Sequence, residues 1–277
     1  MILLLAAAAI LQGPIETPAD QDPGPGAREV YSGTRGELLV AIPRFDDPEL
    51  SIDGVLDEAV WERAAQVGDF TQYEPVEGAR PRQDTEVFLF YGPDAIYFGI
   101  RALDSEPDRV LANLGERDRS VFNDDWVRIM LDTFDDARQA YVFYVNPLGI
   151  QTDGLWIEGL QSRMGSVSID FNPDFIWESR GRLTDEGWVA EIRVPYVSLR
   201  FQPGEEQSWG FNVAREVRRT GYKQAWAPLT QDNPSTLVQS GKLLGIHGIE
   251  PKRLVEVNPV GTGSRGGGLG EGGGFHR

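Results

Sequence analysis

The stretch IDGVLDEAVW, residues 52–61, combines a tight turn, a helix start and a bulky apolar anchor. Asp53-Gly54 predicts a turn, because glycine reaches the positive φ that tight turns require. Asp57 is expected to cap a short helix over residues 58–65. One face of that helix is apolar and consists of Val60, Trp61, Ala64 and Ala65. A lone amphipathic helix followed by many strand patterns indicates a helix at the end of a β-sandwich.

The rest of the chain is dominated by short strand patterns separated by turn residues. Alternating or continuous apolar runs predict strands over residues 37–42, 85–91, 95–103, 126–133, 138–145, 150–158, 175–183, 188–194, 209–217, 223–228 and 254–257. Gly92-Pro93-Asp94 separates two of these runs and predicts a hairpin. Regularly spaced strands with almost no helical periodicity predict an all-β fold, an antiparallel β-sandwich with one short helix near its N-terminal end.

The two ends of the sequence differ in composition from the part between them. Residues 1–32 combine a short apolar run, residues 2–11, with a linker rich in Pro, Gly and acidic residues, which is typical of a signal peptide followed by a spacer. Residues 33–258 carry the strand patterns, and residues 259–277 form a Gly-rich tail that is expected to be flexible and to precede a further domain in a longer product. This organisation predicts export to a periplasmic or extracellular location.

Charge and residue usage exclude several classes of function. The 43 acidic and 26 basic residues give a net charge of −17, which repels phosphate backbones, so nucleic acid is not an expected partner. The chain has no cysteine and two histidines, which argues against thiolate metal sites, cysteine nucleophiles and Ser-His-Asp catalysis. Seven Trp, eight Tyr and thirteen Phe favour β structure and provide ring faces that can stack on sugars.

Acidic residues crowd the two ends of the strand predicted over residues 126–133 and the connection before it. Calcium takes six to eight oxygen ligands in irregular geometry, so loop carboxylates at strand ends could form a site, with Asp104 and Asp124 as the candidate ligands. Turn capping or solvation of each aspartate is the alternative. Glycoside hydrolysis needs a paired acid and base, and no pair of carboxylates stands out in the sequence, so catalysis in this chain is not the favoured interpretation.

Six segments, in this order, carry a resemblance to a known family: IDGVLDEAVW (52–61), EVFLFYGPDAIYFGIRALD (86–104), DDWVRIMLDTF (124–134), RQAYVFYVNPLGIQTDG (138–154), WGFNVAREVRR (209–219) and AWAPL (225–229). Together they make residues 40–250 resemble the family 9 carbohydrate-binding module, in a bacterial subgroup in which the module precedes a large β-rich, outer-membrane-associated domain of unknown function. The resemblance implies a jelly-roll-like sandwich that binds sugar ends, often with structural calcium, and works beside glycan-degrading machinery.

The resemblance also implies part of a ligand site. Phe122 stands just before the D-x-V-x-I-x-x-D-like strand, where the family has one aromatic wall, and Trp226 stands where it has another. Residues 235–237 read Ser-Thr-Leu where a second Trp is expected, so the sequence departs from a two-tryptophan clamp. From the residues themselves, Trp156 is a candidate stacking platform because polar side chains adjoin it, and Arg117 and Asp125 are candidate polar contacts.

The sequence therefore favours one function and leaves two alternatives. The favoured function is binding of an oligo- or polysaccharide by an exported module, periplasmic or outer-membrane-associated, that serves carbohydrate catabolism. The first alternative is a module that binds no sugar and caps a membrane β-domain in a longer product. The second is an O-glycosyl hydrolase.

Overall fold

The structure, a computed structural model, describes residues 29–118, 120–160 and 169–251. Most of the predicted leader and linker, the strand predicted over residues 254–257 and the Gly-rich tail lie outside the described residues. Across the described part of the chain, no helix is long and apolar enough to cross a membrane.

Fifteen strands, one α-helix and five single-turn 3-10 helices make up the regular structure of the described residues. The strands of the first half of the chain are β1 (Val30–Ser32), β2 (Leu39–Ala41), β3 (Ala65–Gly68), β4 (Thr71–Glu74), β5 (Thr85–Tyr91), β6 (Ala95–Leu103), β7 (Trp126–Asp132) and β8 (Gln139–Val145). Those of the second half are β9 (Gln151–Ile157), β10 (Ile169–Asp170), β11 (Glu178–Thr184), β12 (Gly187–Pro195), β13 (Glu206–Val217), β14 (Tyr222–Ala225) and β15 (Gly241–His247). The helix, α1, spans Ala59–Arg63.

The strands form two sheets that face each other across a common core. One sheet has six strands in the order β1-β3-β5-β6-β12-β11, and the other has nine, with β10-β9-β8-β7-β13-β14-β4 in sequence and β15 and β2 joined beside β13. All neighbouring pairs are antiparallel except β1 with β3 and β2 with β15, which are parallel. The phenyl rings of Phe98 and Phe211 stack across the interface at 6.1 Å. The predicted β-sandwich is confirmed.

Period-two alternation assigns each side chain to the core or to an outer face. On β12, Trp188, Ala190, Ile192 and Val194 point into the core. The residue between two of them, Glu191, therefore points to the outer face of the six-stranded sheet. Removing such aromatic and branched side chains from water is the main force that holds the two sheets together.

The opening motif lies against that outer face, and the prediction that it sits at the end of the sandwich is wrong. Trp61 packs on Phe90 with ring centroids 5.2 Å apart, and Phe90 belongs to the outward row of β5. The helix is also shorter than predicted, and its N-cap residue Glu58 makes no side-chain capping bond, so Asp57 is not the cap. Gly54 has a φ of 86°, which confirms the predicted turn.

A buried carboxylate fixes the motif to the sheet. Glu191 is fully buried and accepts hydrogen bonds from the backbone nitrogens of Asp53 and Gly54, both at 2.8 Å, and from the indole nitrogen of Trp61 at 3.0 Å. Burial raises the pKa of Glu191, and the three donors act against that rise. Residues 52–61 thus cover the carboxylate of Glu191, which the turn and Trp61 bind through hydrogen bonds.

Candidate functional site

The outer face of the nine-stranded sheet carries a second apolar cluster. On β7, Val127, Ile129 and Leu131 point into the core, so the residues between them and Trp126 point outward. Outward residues of the neighbouring strands continue this row, and Val121 and Leu237 join it from single helical turns. The cluster consists of Val121, Trp126, Met130, Ala140, Val142, Tyr144, Ala214, Ala225 and Leu237. A sheet face exposed only to water would be polar, so this face is built to be covered or to bind something apolar.

A cavity of ≈ 360 Å³ opens on this face. Its floor is aromatic and consists of Tyr73, Trp126, Tyr144 and Trp156. Polar residues of the segment 229–239 and the side chains of Glu74 and Lys223 form its rim. The volume lies within the range of about 300–1,000 Å³ that is typical of small-molecule sites. We call this space the sheet cavity.

The rings of the floor are held in place by each other and by hydrogen bonds. The rings of Trp126 and Tyr144 meet edge to face at 5.1 Å, and both side chains are buried. Trp156 is half-buried, and its indole nitrogen donates to Glu158 at 3.0 Å. The same carboxylate oxygen accepts the backbone N–H of Leu237 at 2.9 Å. Glu158 therefore links the floor of the cavity to the segment that forms its rim.

Gln239 organises the rim. Its side-chain oxygen accepts the backbone N–H of Thr230 at 2.7 Å, and its side-chain nitrogen donates to the carbonyl oxygens of Asn233 and Ser235. These bonds cross-link the segment 229–239 within itself. The sequence showed here only that the expected second Trp is missing, whereas the structure shows a cross-linked polar edge.

Arg128 lies in the floor of the sheet cavity and carries its central charge. The residue is 5% exposed, and its guanidinium carbon lies 5.3 Å from the ring centroid of Trp156 and 5.9 Å from that of Tyr144. Burial lowers the pKa of Arg128, but the neighbouring Tyr144 and Tyr73 outweigh that effect and raise it, so the side chain stays charged. Arg128 has a side-chain hydrogen bond to Tyr144, but no carboxylate of the described residues pairs with it, and its Nε atom has no hydrogen-bond partner.

The structure brings two of the predicted ligand residues to this face. Trp156 lines the sheet cavity. Phe122 is 39% exposed at the edge of the aromatic floor, where its ring meets Tyr144 at 5.1 Å and Phe171 at 5.6 Å. Both residues therefore lie where a ligand on this face could meet them.

The other three predicted ligand contacts lie elsewhere and are corrected. Trp226 is fully buried between the sheets, with its ring 5.5 Å from Phe211, so it cannot form a wall of an open site. Arg117 pairs with the buried carboxylate of Asp153 at 2.5 Å and with Asp174 at 2.8 Å, an ion-pair cluster that ties β9 to the segment before β11. Asp125 is completely buried and does not line the cavity.

Asp125 faces the interior of the sandwich and lacks a full set of partners. One carboxylate oxygen accepts the backbone N–H of Arg218 at 3.0 Å, and the other has no hydrogen-bond partner. Burial raises the pKa of Asp125 to about 6, although the nearby Arg215 and Arg219 act against the rise. This carboxylate is a feature of the core.

The two predicted calcium ligands do not fit a calcium site. Both oxygens of Asp104 accept hydrogen bonds from the guanidinium of Arg219, at 2.6 and 2.7 Å, and Arg215 lies 3.9 Å away. Burial would raise the pKa of Asp104, but these cations lower it overall. Asp124 accepts side-chain amide bonds from Asn113 and Asn146. Among the described residues, no group of three or more His, Cys, Asp and Glu is placed to hold a metal ion.

The residues that build the sheet cavity were largely missed from the sequence. Arg128, Tyr144 and Trp126 were not among the candidate ligand residues. A signal was present, because Arg128 stands between Trp126 and Met130 in an outward row that is otherwise apolar. An arginine in such a row is costly unless it has a partner, and this marks a candidate site.

Comparison by sequence finds no relatives. No family model matches the chain, and no curated protein is detectably similar to it in sequence.

Comparison by structure finds the fold. A family 9 carbohydrate-binding module from Caldicellulosiruptor kristjanssonii, in complex with glucose, aligns with a TM-score of 0.52 at 15% identity, covering 80% of this chain and 100% of the module. The same organism's module in complex with cellotriose gives 0.50 at 15% identity over 79% of this chain and 99% of the module. A candidate carbohydrate-binding protein from Bacteroides uniformis gives 0.59 at 11% identity, covering 76% of this chain and 99% of that one. The chain therefore has a family 9 module-like fold, as the resemblance implied.

Proposed function

We propose that this protein binds carbohydrate in the sheet cavity. The observation that carries the proposal is the aromatic floor with a polar rim on an outer sheet face, in a fold shared with modules that were solved with glucose and cellotriose. A pyranose ring has apolar C–H faces and polar edges, so it matches a site with an aromatic floor and polar sides.

The floor and the rim supply different parts of the binding energy. Trp156 is the half-buried ring of the floor and provides a face for the sugar, a contact of about 0.5–1.5 kcal/mol on the scale of aromatic pairs. Lys223 and the polar residues of segment 229–239 offer hydrogen bonds to hydroxyl groups at the edge. Lys223 is held at 2.8 Å from Glu74, so the rim is partly ordered before a ligand arrives.

The lining of the sheet cavity favours binding over hydrolysis. Glu74 is the one carboxylate among the described residues that line it, and it forms an ion pair with Lys223. Glycosidases need two carboxyl groups placed on opposite sides of the bond that breaks. The geometry of this cavity therefore supports recognition of a sugar without a reaction.

The burial of Trp226 favours a second candidate function. It removes one aromatic wall that the family resemblance implied, as a module that has lost its sugar site would show. In that case the sandwich would serve as a structural cap for a membrane β-domain in a longer product. The two candidates differ in whether any sugar binds.

Isothermal titration with glucose, cellotriose and a panel of oligosaccharides tests the proposal. We expect binding that weakens about tenfold in Trp156→Ala, which corresponds to about 1.4 kcal/mol of lost stacking. The matched control is Phe134→Ala, which removes a ring that is 36% exposed outside the cavity and should leave affinity unchanged. Absence of binding to every sugar at millimolar concentration would favour the structural cap instead.

We also propose that the module is exported, to the periplasm or the outer membrane, and serves glycan catabolism. The apolar run of residues 2–11 supports export, and sugar binding supports the catabolic role. Fractionation of cells that express the natural gene product tests the location. Recovery in the cytoplasm alone would contradict it.

A further inference from the structure

The polar atoms left without partners in the floor of the sheet cavity are hydrogen-bond donors. They are the Nε atom of Arg128 and the indole nitrogen of Trp126, both buried and both on residues that line the cavity. A buried donor without an acceptor costs about 1–3 kcal/mol, and a buried charge without a counter-charge costs more. These two donors therefore lack an acceptor, and the lining holds no carboxylate that pairs with Arg128.

Arg117, Arg215 and Arg219 also have a buried Nε atom without a hydrogen-bond partner, but each of them lies within 4 Å of a carboxylate. Arg219 holds Asp104 with two bonds at 2.6 and 2.7 Å, and Arg215 lies 3.9 Å from the same carboxylate. Arg117 is paired with Asp153. Arg128 has the rings of Trp156 and Tyr144 around it instead, and its hydrogen-bond partner Tyr144 is a neutral side chain that supplies no counter-charge.

The residues that line the sheet cavity have a net positive charge. Arg128 and Lys223 are its cations and Glu74 is its carboxylate, so the cavity is locally positive in a chain whose net charge is −17. Since Glu74 already pairs with Lys223 at the rim, the charge of Arg128 is not offset within the lining.

We infer that the sheet cavity selects an acidic sugar, one whose carboxylate pairs with Arg128. This inference rests on the proposed carbohydrate binding and names the class of sugar. A carboxylate is acceptor-only and planar, and a guanidinium binds it with two parallel, charge-assisted hydrogen bonds. A neutral hydroxyl would leave the buried charge without a counter-charge. The aromatic floor holds the ring of the same sugar residue.

A matched ligand series tests the inference on the full chain by isothermal titration calorimetry. The methyl glycoside of glucuronic acid, its neutral amide and the methyl glycoside of glucose have nearly the same shape and differ in charge at one position. We expect the acid to bind at least about tenfold more tightly than the amide or the glucoside, on the scale of charge-assisted hydrogen bonds. Added salt should narrow that difference.

Variants assign the preference to Arg128. Arg128→Gln should remove the preference for the acid over its amide. Arg128→Lys keeps the charge but lacks the two parallel N–H donors of the guanidinium, so it should retain part of that preference. The matched control Arg182→Gln removes an exposed arginine of β11 in the other sheet and should change nothing. If Arg128→Gln does not fold, the ligand series and the lysine variant still decide the question.

The outcomes separate the inference from the function on which it rests. Equal affinity for the three glycosides would overturn the acidic preference and leave carbohydrate binding intact. Binding of none of them, nor of any sugar of the wider panel, would overturn both. If glucose 6-sulfate binds more tightly than the glucuronide, the cavity prefers a sulfate to a carboxylate, which contradicts the inference.

Discussion

Each outer sheet face buries a charged side chain with aromatic neighbours, Glu191 on one sheet and Arg128 on the other, and the two differ in their hydrogen-bond and charge partners. Glu191, on the six-stranded sheet, accepts three hydrogen bonds from residues 52–61, which cover it. Arg128, on the nine-stranded sheet, has aromatic neighbours and no carboxylate partner among the described residues. One face is closed by the chain itself, and the other is left open as the sheet cavity.

The partners of a buried charge indicate whether it stabilises the fold or awaits a ligand. A buried charge with all its partners holds a fold together, because removing it would leave those partners unsatisfied. A buried charge without a counter-charge adds a cost that a ligand can remove. Asp125 lies between these cases, since one of its oxygens has a partner and the other has none.

The largest expected effect comes from opening the closed face. Trp61→Ala removes a nearly fully buried ring that packs on Phe90 and donates to Glu191, so we expect the free energy of unfolding to fall by roughly 3–5 kcal/mol. Urea unfolding followed by circular dichroism measures this. A loss below about 1 kcal/mol would mean that residues 52–61 do not close the face.

Removing the charge alone should have the next largest effect. Glu191→Gln keeps the shape but turns an acceptor oxygen into a donor that faces the N–H groups of Asp53 and Gly54. We expect a loss of about 2–3 kcal/mol in urea unfolding at pH 7. Glu86→Gln, in a partly exposed ion pair on the same sheet, is the control and should cost less than about 1 kcal/mol. If both variants lose the same free energy of unfolding, Glu191 contributes no more to stability than a partly exposed ion-pair residue.

The incompletely paired Asp125 predicts a dependence on pH. Its pKa of about 6 is above the ordinary value of 3.8, so between these pH values the folded state binds a proton that the unfolded state has lost. The contribution of Asp125 to stability therefore falls by on the order of 3 kcal/mol as pH rises through that window, and it is constant above it. Asp125→Asn should flatten this part of the pH profile of unfolding. An unchanged profile would contradict the shift.

The smallest expected effect is a gain, not a loss, in the free energy of unfolding. Arg128→Met keeps the apolar stem and removes a charge without a carboxylate partner, so we expect stability without ligand to be unchanged or higher by up to about 1 kcal/mol. The same urea experiment measures it beside Glu191→Gln. If Arg128→Met loses 2 kcal/mol or more, Arg128 is a structural residue like Glu191.

Much of the fold could be predicted from alternation and turns. The hairpin of β5 and β6 was predicted with the bounds that the structure shows, because Gly92-Pro93-Asp94 separates two strongly apolar runs. Strand β15 was missed, since Gly241 and Gly245 interrupt its pattern, and β1 lies in a segment whose composition is that of a linker. Strands β3, β4 and β10 were missed as well. Strands β1 and β15 are stabilised by pairing with distant parts of the chain, which composition does not reveal.

The candidate site was harder to predict than the fold, for a physical reason. Whether Trp226 is a wall of a site or part of the core depends on which sheet face its backbone presents, and a nearby strand end made that assignment uncertain. Arg117 and Asp125 have the residue types of ligand contacts, but their partners come from distant segments of the chain. The partnering of Arg128 is likewise visible only when all neighbouring strands are in place.

In our proposal, an acidic sugar closes the open face of the nine-stranded sheet. The most direct measurement is the change in free energy of unfolding of the wild type and of Arg128→Met on adding saturating methyl glucuronide. We expect the wild type to gain about 2.7 kcal/mol at a ligand concentration one hundred times the dissociation constant, and the variant to gain much less. Equal gains in both proteins, or no gain in the wild type, would contradict the account.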